Sequence, residues 1–149
     1  MGAWWETVLR LVLAVVLGGL LGWEREVQRK PAGLRTLMLV SLASAIFVLG
    51  ARQAAFFAGE PLDAVRAMAG VAQGVGFLGA GLILRTRGEV RWLTTATSLW
   101  VAAAVGFATA EGLYVLALSG TLLAFAILRW MVAVEDRLVR KSDDKKPQG

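Results

Sequence analysis

Apolar positions along this chain fall into long unbroken blocks rather than into the alternation that a half-buried strand needs. Five blocks stand out, from Trp4 to Trp23, Leu37 to Phe57, Met68 to Leu84, Leu93 to Ala110 and Leu113 to Val134. A helix needs about 20 residues to cross the roughly 30 Å of hydrocarbon in a bilayer. The first, second and fifth blocks meet that length. The third is slightly short and rich in glycine and the fourth is also short, so four spans is the alternative if one of them only dips in. A backbone in hydrocarbon must satisfy its own hydrogen bonds, and long apolar runs without period-2 alternation exclude a transmembrane barrel. The pattern therefore predicts an all-α fold, a polytopic transmembrane helix bundle of about five spans. It forms one domain over residues 1–134, followed over 135–149 by a polar tail. That tail reads as a fraying extension of the fifth helix and a disordered end, closing on a charge run, Pro147 and Gly149.

Composition agrees with this reading. The chain is 57% hydrophobic, against about 45–50% in soluble domains, and its mean hydropathy is +0.63. A net charge of +5 would suit a nucleic-acid partner, but the bases cluster between the apolar blocks, which makes them a topological signal instead. If all five blocks cross, one side holds Arg25, Arg29, Lys30, Arg35, Arg85, Arg87, Arg91, Arg129, Arg137, Arg140, Lys141, Lys145 and Lys146. Only Arg10, Arg52 and Arg66 remain for the other side. The positive-inside rule then places the N-terminus outside and the C-terminus, with its tail, in the cytoplasm. An odd number of spans is what makes the basic segments agree. Trp4 and Trp5 mark the outer interface in this topology, and Trp23, Trp92 and Trp130 the inner one. Glu6 precedes the first base, Arg10, so the N-terminus reads as a retained helix rather than a signal peptide.

The chain has no cysteine and no histidine. Disulfides, thiolate nucleophiles, the usual zinc ligand sets and Ser-His-Asp chemistry are excluded, and any metal would be held by oxygen. An enzyme is not expected. The acids fall at the ends of spans, Glu24 and Glu26 at one side and Glu6, Glu60, Asp63 and Glu111 at the other. Magnesium prefers several carboxylate or water oxygens in octahedral geometry, and no acid is predicted at the membrane midplane to provide them.

Three stretches depart from ordinary membrane helix. The first runs Gly22-Trp23-Glu24-Arg25-Glu26 and then Lys30-Pro31-Ala32-Gly33-Leu34-Arg35-Thr36. It is either a fixed ionic cluster at the membrane surface or a basic loop with solvated charges. The second is Gln73-Gly74-Val75-Gly76-Phe77-Leu78-Gly79-Ala80-Gly81, ending at Arg85. No strand precedes it, so a nucleotide-binding loop is a poor reading. Gly70/Gly74 and Gly76/Ala80 suit tight small-xxx-small packing, with Gly18/Gly22 as a matching surface, and a locally broken helix that binds an ion is the alternative. The third contains Thr94, Thr95, Ser98 and Trp100, whose hydroxyls can cap the fourth span, bond back to carbonyls or line a polar cavity. Within the first span Arg10 is an ionisable group in hydrocarbon. Glu6, four residues earlier on the same helical face, is the simplest partner, and Asp63, Arg66 and Glu111, predicted near the same outer surface, are the alternatives.

The segments GWERE, KPAGLRT, QGVGFLGAGLILR and VRWLTTATSLWVAAAVG, in this order, resemble the membrane domain of the MgtC/SapB family over about residues 8–130. Asp63 and Arg66 match an Asp and an Arg that the family tends to place before its glycine-rich span. Gly70 stands where many relatives carry glutamine, and Gln73 is the nearest amide. The resemblance implies a bacterial inner-membrane protein tied to magnesium limitation and stress. It implies no cofactor beyond Mg2+ as ligand or signal, and regulation of a membrane complex such as the F-type ATP synthase. The competing expectation is an oligomeric magnesium or other ion transporter. Longer relatives carry a cytoplasmic ACT-like domain after the membrane part, and this chain ends before one. The expected surroundings are the bilayer, a membrane protein complex and a second copy of the chain, with a dimer as the default symmetric oligomer.

Overall fold

The computed structural model describes residues 4–143 apart from 60, 62, 87 and 88. Glu60, Arg87 and residues 144–149, which include Lys145 and Lys146, lie outside the described residues. The elements are α1 (Trp4–Val27), α2 (Leu34–Ala58), α3 (Ala64–Leu82), β1 (Leu84–Thr86), β2 (Glu89–Arg91), α4 (Leu93–Glu111) and α5 (Tyr114–Asp143). All five helices are long and apolar enough to cross a membrane, which settles the count at five rather than four. The all-α class holds, with one addition. β1 and β2 pair antiparallel, Leu84 opposite Arg91 and Thr86 opposite Glu89, between α3 and α4. Three residues per strand give too short a run for alternation to be read.

The side-chain contacts fix how the helices run. At one end Arg10 of α1 donates to the carbonyl of Ala110 on α4, and Arg52 of α2 donates to Glu111 of α4 at 3.2 Å. At the other, Gln28 just past α1 donates to the carbonyl of Leu128 on α5 at 2.9 Å. Gly76 and Gly79 of α3 face Trp100 and Ala96 of α4, in antiparallel order. Consecutive helices therefore alternate in direction. The α1–α2 turn, the β-hairpin and the later part of α5 share one end, called here the basic end.

α4 is the centre of the bundle, with 61% of its span buried against 11% for α3. Its small residues explain this position: Ala96, Ala102, Ala103, Ala108 and Ala110 are buried, and hydrocarbon favours close backbone approach over bulk, because apolar burial gains little when the solvent is itself apolar. At Gly106 a Cβ would collide with the backbone carbonyl of Ser41. At Gly18 it would stand 2.7 Å from both the Leu37 carbonyl oxygen and Ser41 Cβ, and at Gly22 it would stand 2.7 Å from Leu34 Cα. Gly18 and Gly22 thus seat α1 on α2, not on the glycines of α3. Two serines of α2 fasten it to both neighbours: Ser41 Oγ donates to the Ala14 carbonyl of α1 at 2.8 Å, and Ser44 Oγ donates to the Ala103 carbonyl of α4 at 2.7 Å. Leu17, Leu21, Leu37, Leu99 and Leu128 fill the space around it. Phe47, Phe57, Phe77 and Leu123 remain exposed on the outer surface, where acyl chains would meet them.

Candidate functional site

The basic end holds the densest set of sequence-predicted residues. Glu24 and Arg25 close the last turn of α1 and are both buried, each only 2% exposed. Gln28 ties them together: it accepts from Arg25 Nη2 at 2.9 Å and donates to Glu24 Oε1 at 2.5 Å, while also reaching the Leu128 carbonyl. Arg129 of α5 approaches the other Glu24 oxygen at 3.9 Å. The solvated-loop reading is overturned for Glu24 and Arg25, which the packing of α5 over the end of α1 removes from water, whereas Glu26, Arg29 and Arg35 of the same stretch are exposed. Burial of opposite charges is tolerated only when further hydrogen bonds meet their remaining donors and acceptors, and Gln28 supplies one such bond to each. Arg25 Nε has no partner.

Glu26, one residue on, points elsewhere. Its Oε2 accepts from the backbone N–H of Leu34 at 3.0 Å, so a carboxylate from α1 caps the start of α2, where the helix dipole favours negative charge. Gly33 makes room for it, since a Cβ there would run into the carboxylate. The turn between them closes with Arg29 at φ 53°, and Lys30 N–H bonds the Arg25 carbonyl at 3.0 Å. That turn sets the Lys30 ammonium 5.9 Å from the centre of the Trp92 ring, a cation–π contact with the residue that opens α4. Arg35 and Thr36 are exposed on the first turn of α2.

Between these elements lies a cavity of about 350 Å³, reached by Arg25, Gln28, Lys30, Trp92, Thr94 and Thr95. The hydroxyls behave differently from a capping run. Trp92 is the N-cap of α4, at φ 69°, and its own side chain makes no capping hydrogen bond. Thr97 and Ser98 instead bond back to the carbonyls of Thr94 and Thr95, at 2.8 and 2.7 Å. Thr95 and Ser98 are buried, and Trp100, two residues after Ser98, is half exposed.

The remaining candidates do not join this cluster. Arg10 lies at the opposite end, 13% exposed, paired with Glu6 at 2.5 Å and donating to the Ala110 carbonyl at the end of α4. Of its charge-related alternatives, Glu111 pairs with Arg52 instead. Asp63 is the N-cap of α3: its Oδ1 accepts from the Arg66 N–H at 2.9 Å, and the two exposed side chains lie 3.5 Å apart. α3 itself is an unbroken helix, so the broken-helix reading fails. Gly79 is buried against Ala96, and Gly76 is next to Trp100. Gly70, Gly74 and Gly81 have no atom within 4 Å of where a Cβ would stand, and Gln73 is exposed. A groove of about 440 Å³ separates α3 from α2 beside Gly70 and Gly74, with Thr36 at its edge. Arg85 lies on β1 opposite Val90.

Sequence reasoning missed Gln28, Ser41, Ser44 and Gly106. Gln28 had a signal, because it stands four residues after Glu24 and three after Arg25, on one helical face. The serines had none, since a hydroxyl in an apolar run is as easily satisfied within its own helix.

Comparison with known proteins places the chain. The sequence profile of the MgtC family matches residues 11–137. YhiD of Escherichia coli (strain K12) is 36% identical over 141 residues, covering 92% of this chain and 66% of YhiD. SrpB of Synechococcus elongatus is 42% identical over 132 residues, covering 80% of this chain and 71% of SrpB. MgtC of Salmonella typhimurium (strain LT2) is 38% identical over 116 residues, covering 78% of this chain and 48% of MgtC. This chain thus spans between about half and two thirds of the length of several of its relatives. No solved structure matches it. With the family profile covering most of the chain and five helices apolar enough to cross a membrane, the chain belongs to the MgtC family and is a multi-pass inner-membrane protein.

Proposed function

We propose that this protein is a non-enzymatic component of magnesium homeostasis and stress adaptation that acts by laying α3 against a larger membrane complex. The F-type ATP synthase is the partner that the family resemblance suggests. The observation that carries this reading is the state of α3. It is the least buried of the five spans, and Gly70, Gly74 and Gly81 present backbone with open space beside them. Helices associate in lipid by close approach at small residues, so such a face suits a partner helix. The groove beside Gly70 and Gly74 would take a ridge of side chains from that partner.

A photoreactive residue at the exposed Ala80, introduced in cells, tests the reading. Crosslinks to ATP synthase subunits that disappear in Gly74→Leu support docking. Crosslinks only to a second copy of the chain point to a homodimer through the same face, and none above background removes the proposal. Gly74→Leu suits this purpose because a Cβ at that position meets no neighbouring atom within 4 Å and the larger side chain would occupy the groove a partner helix needs.

The second reading is an ion transporter, favoured by the description of YhiD as a candidate magnesium transporter. Against it stands the engagement of the acids. Glu6, Glu24, Glu26, Asp63 and Glu111, the acids whose side chains are described, each meet a basic group, an amide or a helix N-terminus. All lie at helix ends, and Mg2+ gives up its water only for well-placed oxygens. Magnesium flux into sealed liposomes that Glu24→Gln abolishes, with the variant shown to be folded, would replace docking by a path built between copies.

A further inference from the structure

We propose that the cavity at the basic end, between α1, α4 and α5, is a binding site for a phosphate-bearing anion. Two independent features converge on it. The first is the start of α4. The first-turn N–H groups of a helix have no acceptor within the helix, the N-cap Trp92 makes no side-chain capping bond to them, and the first turn holds no acid. Thr94 and Thr95 of that turn line the cavity. Such a helix start favours negative charge and offers donors to it.

The second is Arg25, which lines the same cavity although it is only 2% exposed. A buried guanidinium needs acceptors for its five N–H donors. Nη2 is paired with Gln28, whereas Nε has none. Its neighbour Glu24 does not line the cavity and is engaged by Gln28, with Arg129 beside it. Lys30 brings a second cation to the wall, steadied over Trp92. Among the described residues that line the cavity none is acidic, so an anion entering it meets cations, hydroxyls and a helix start. A phosphate group, with several acceptor oxygens, matches such a set of donors.

Two sources of phosphate fit this chemistry. Leu93, Ile127 and Met131, exposed on the same wall, would lie along acyl chains if the group is a lipid headgroup. The cavity would equally admit free phosphate. The test uses the purified full chain in nanodiscs of phosphatidylcholine, in two arms. One arm adds phosphatidylglycerol and counts lipid retained by native mass spectrometry. The other keeps neutral lipid and measures binding of radiolabelled inorganic phosphate.

Saturable uptake of one equivalent in the first arm alone assigns a lipid headgroup, and uptake in the second assigns free phosphate. Either is expected to weaken about tenfold in Lys30→Gln and Arg25→Gln, as loss of a charge-assisted bond implies. Arg35→Gln, exposed at the same end but outside the cavity, should stay within about twofold of the parent. Should Arg25→Gln fail to fold, Lys30→Gln decides by itself, since that side chain is only partly buried. Uptake in neither arm overturns the proposal, as does an Arg35→Gln loss equal to that of Lys30→Gln.

Discussion

Ser41 stands where three helices meet, with Gly18 of α1 on one side and Gly106 of α4 on the other. Two different physical effects operate there and can be separated by substitution. Gly106→Ala inserts a methyl group against a backbone carbonyl, which neither helix can avoid without moving apart, and overpacking of this kind costs roughly 1–3 kcal/mol. Ser41→Ala removes one interhelical hydrogen bond, worth about 0.6 kcal/mol in lipid because the separated helices also find partners for the hydroxyl. Unfolding midpoints in mixed detergent should therefore fall further for Gly106→Ala than for Ser41→Ala. Equal losses would mean that hydrogen bonding rather than close approach holds the crossing. At the basic end, Gly33→Ala acts through Glu26: the new methyl displaces the carboxylate from the Leu34 N–H. The expected cost is that of a lost cap, about 1 kcal/mol, and Glu26→Ala should add little on top of it. Additive losses in the double variant would show that the two residues act separately.

The helices themselves differ in what their glycines do, and this difference was only half legible. Length and hydropathy predicted five spans because a bilayer imposes nearly the same requirement on each; α1 to α4 begin and end within about four residues of the block boundaries, while α5 runs on to Asp143, past the block's end at Val134. Which faces meet was not legible. In water an apolar stripe marks the buried side, but in lipid both sides of a helix are apolar, so α4 at the centre and α3 at the edge read alike. The glycine-rich α3 looked like the tightly packed element, whereas Gly18, Gly22 and Gly106 are the glycines at the close crossings. The burial of Arg25 and Glu24 was equally hidden, because it depends on the end of α5 covering residues distant in sequence. A sign reversal follows between elements. Gly70→Ala or Gly74→Ala on α3 should raise thermal stability in detergent by about 0.5–1 kcal/mol, since alanine favours helix and the added methyl meets nothing. Gly18→Ala on α1 should lower it. Loss of stability at Gly74 in the purified protein would mean that α3 is already covered there by another copy of the chain.

Alternation of the five helices brings the bases of the α1–α2 turn to the same end as Arg91 and Arg129, while Arg10, Arg52 and Arg66 lie at the other. The asymmetry has an electrostatic consequence for insertion: segments rich in Lys and Arg are retained on the cytoplasmic side, and short loops near span ends weigh most. The basic end is therefore expected to face the cytoplasm, which would also bring the proposed anion cavity against the inner leaflet, within reach of its anionic lipid headgroups. Because the chain contains no cysteine, single replacements report the orientation without background. Arg35→Cys, exposed at the basic end, and Arg66→Cys, 87% exposed at the start of α3, form the pair. In intact spheroplasts a membrane-impermeant maleimide should label Arg66→Cys at once and Arg35→Cys only after lysis. The reverse pattern would turn the protein over. A phosphate site fed from the cytoplasm or the inner leaflet would then be excluded by position, even if the cavity binds phosphate in nanodiscs.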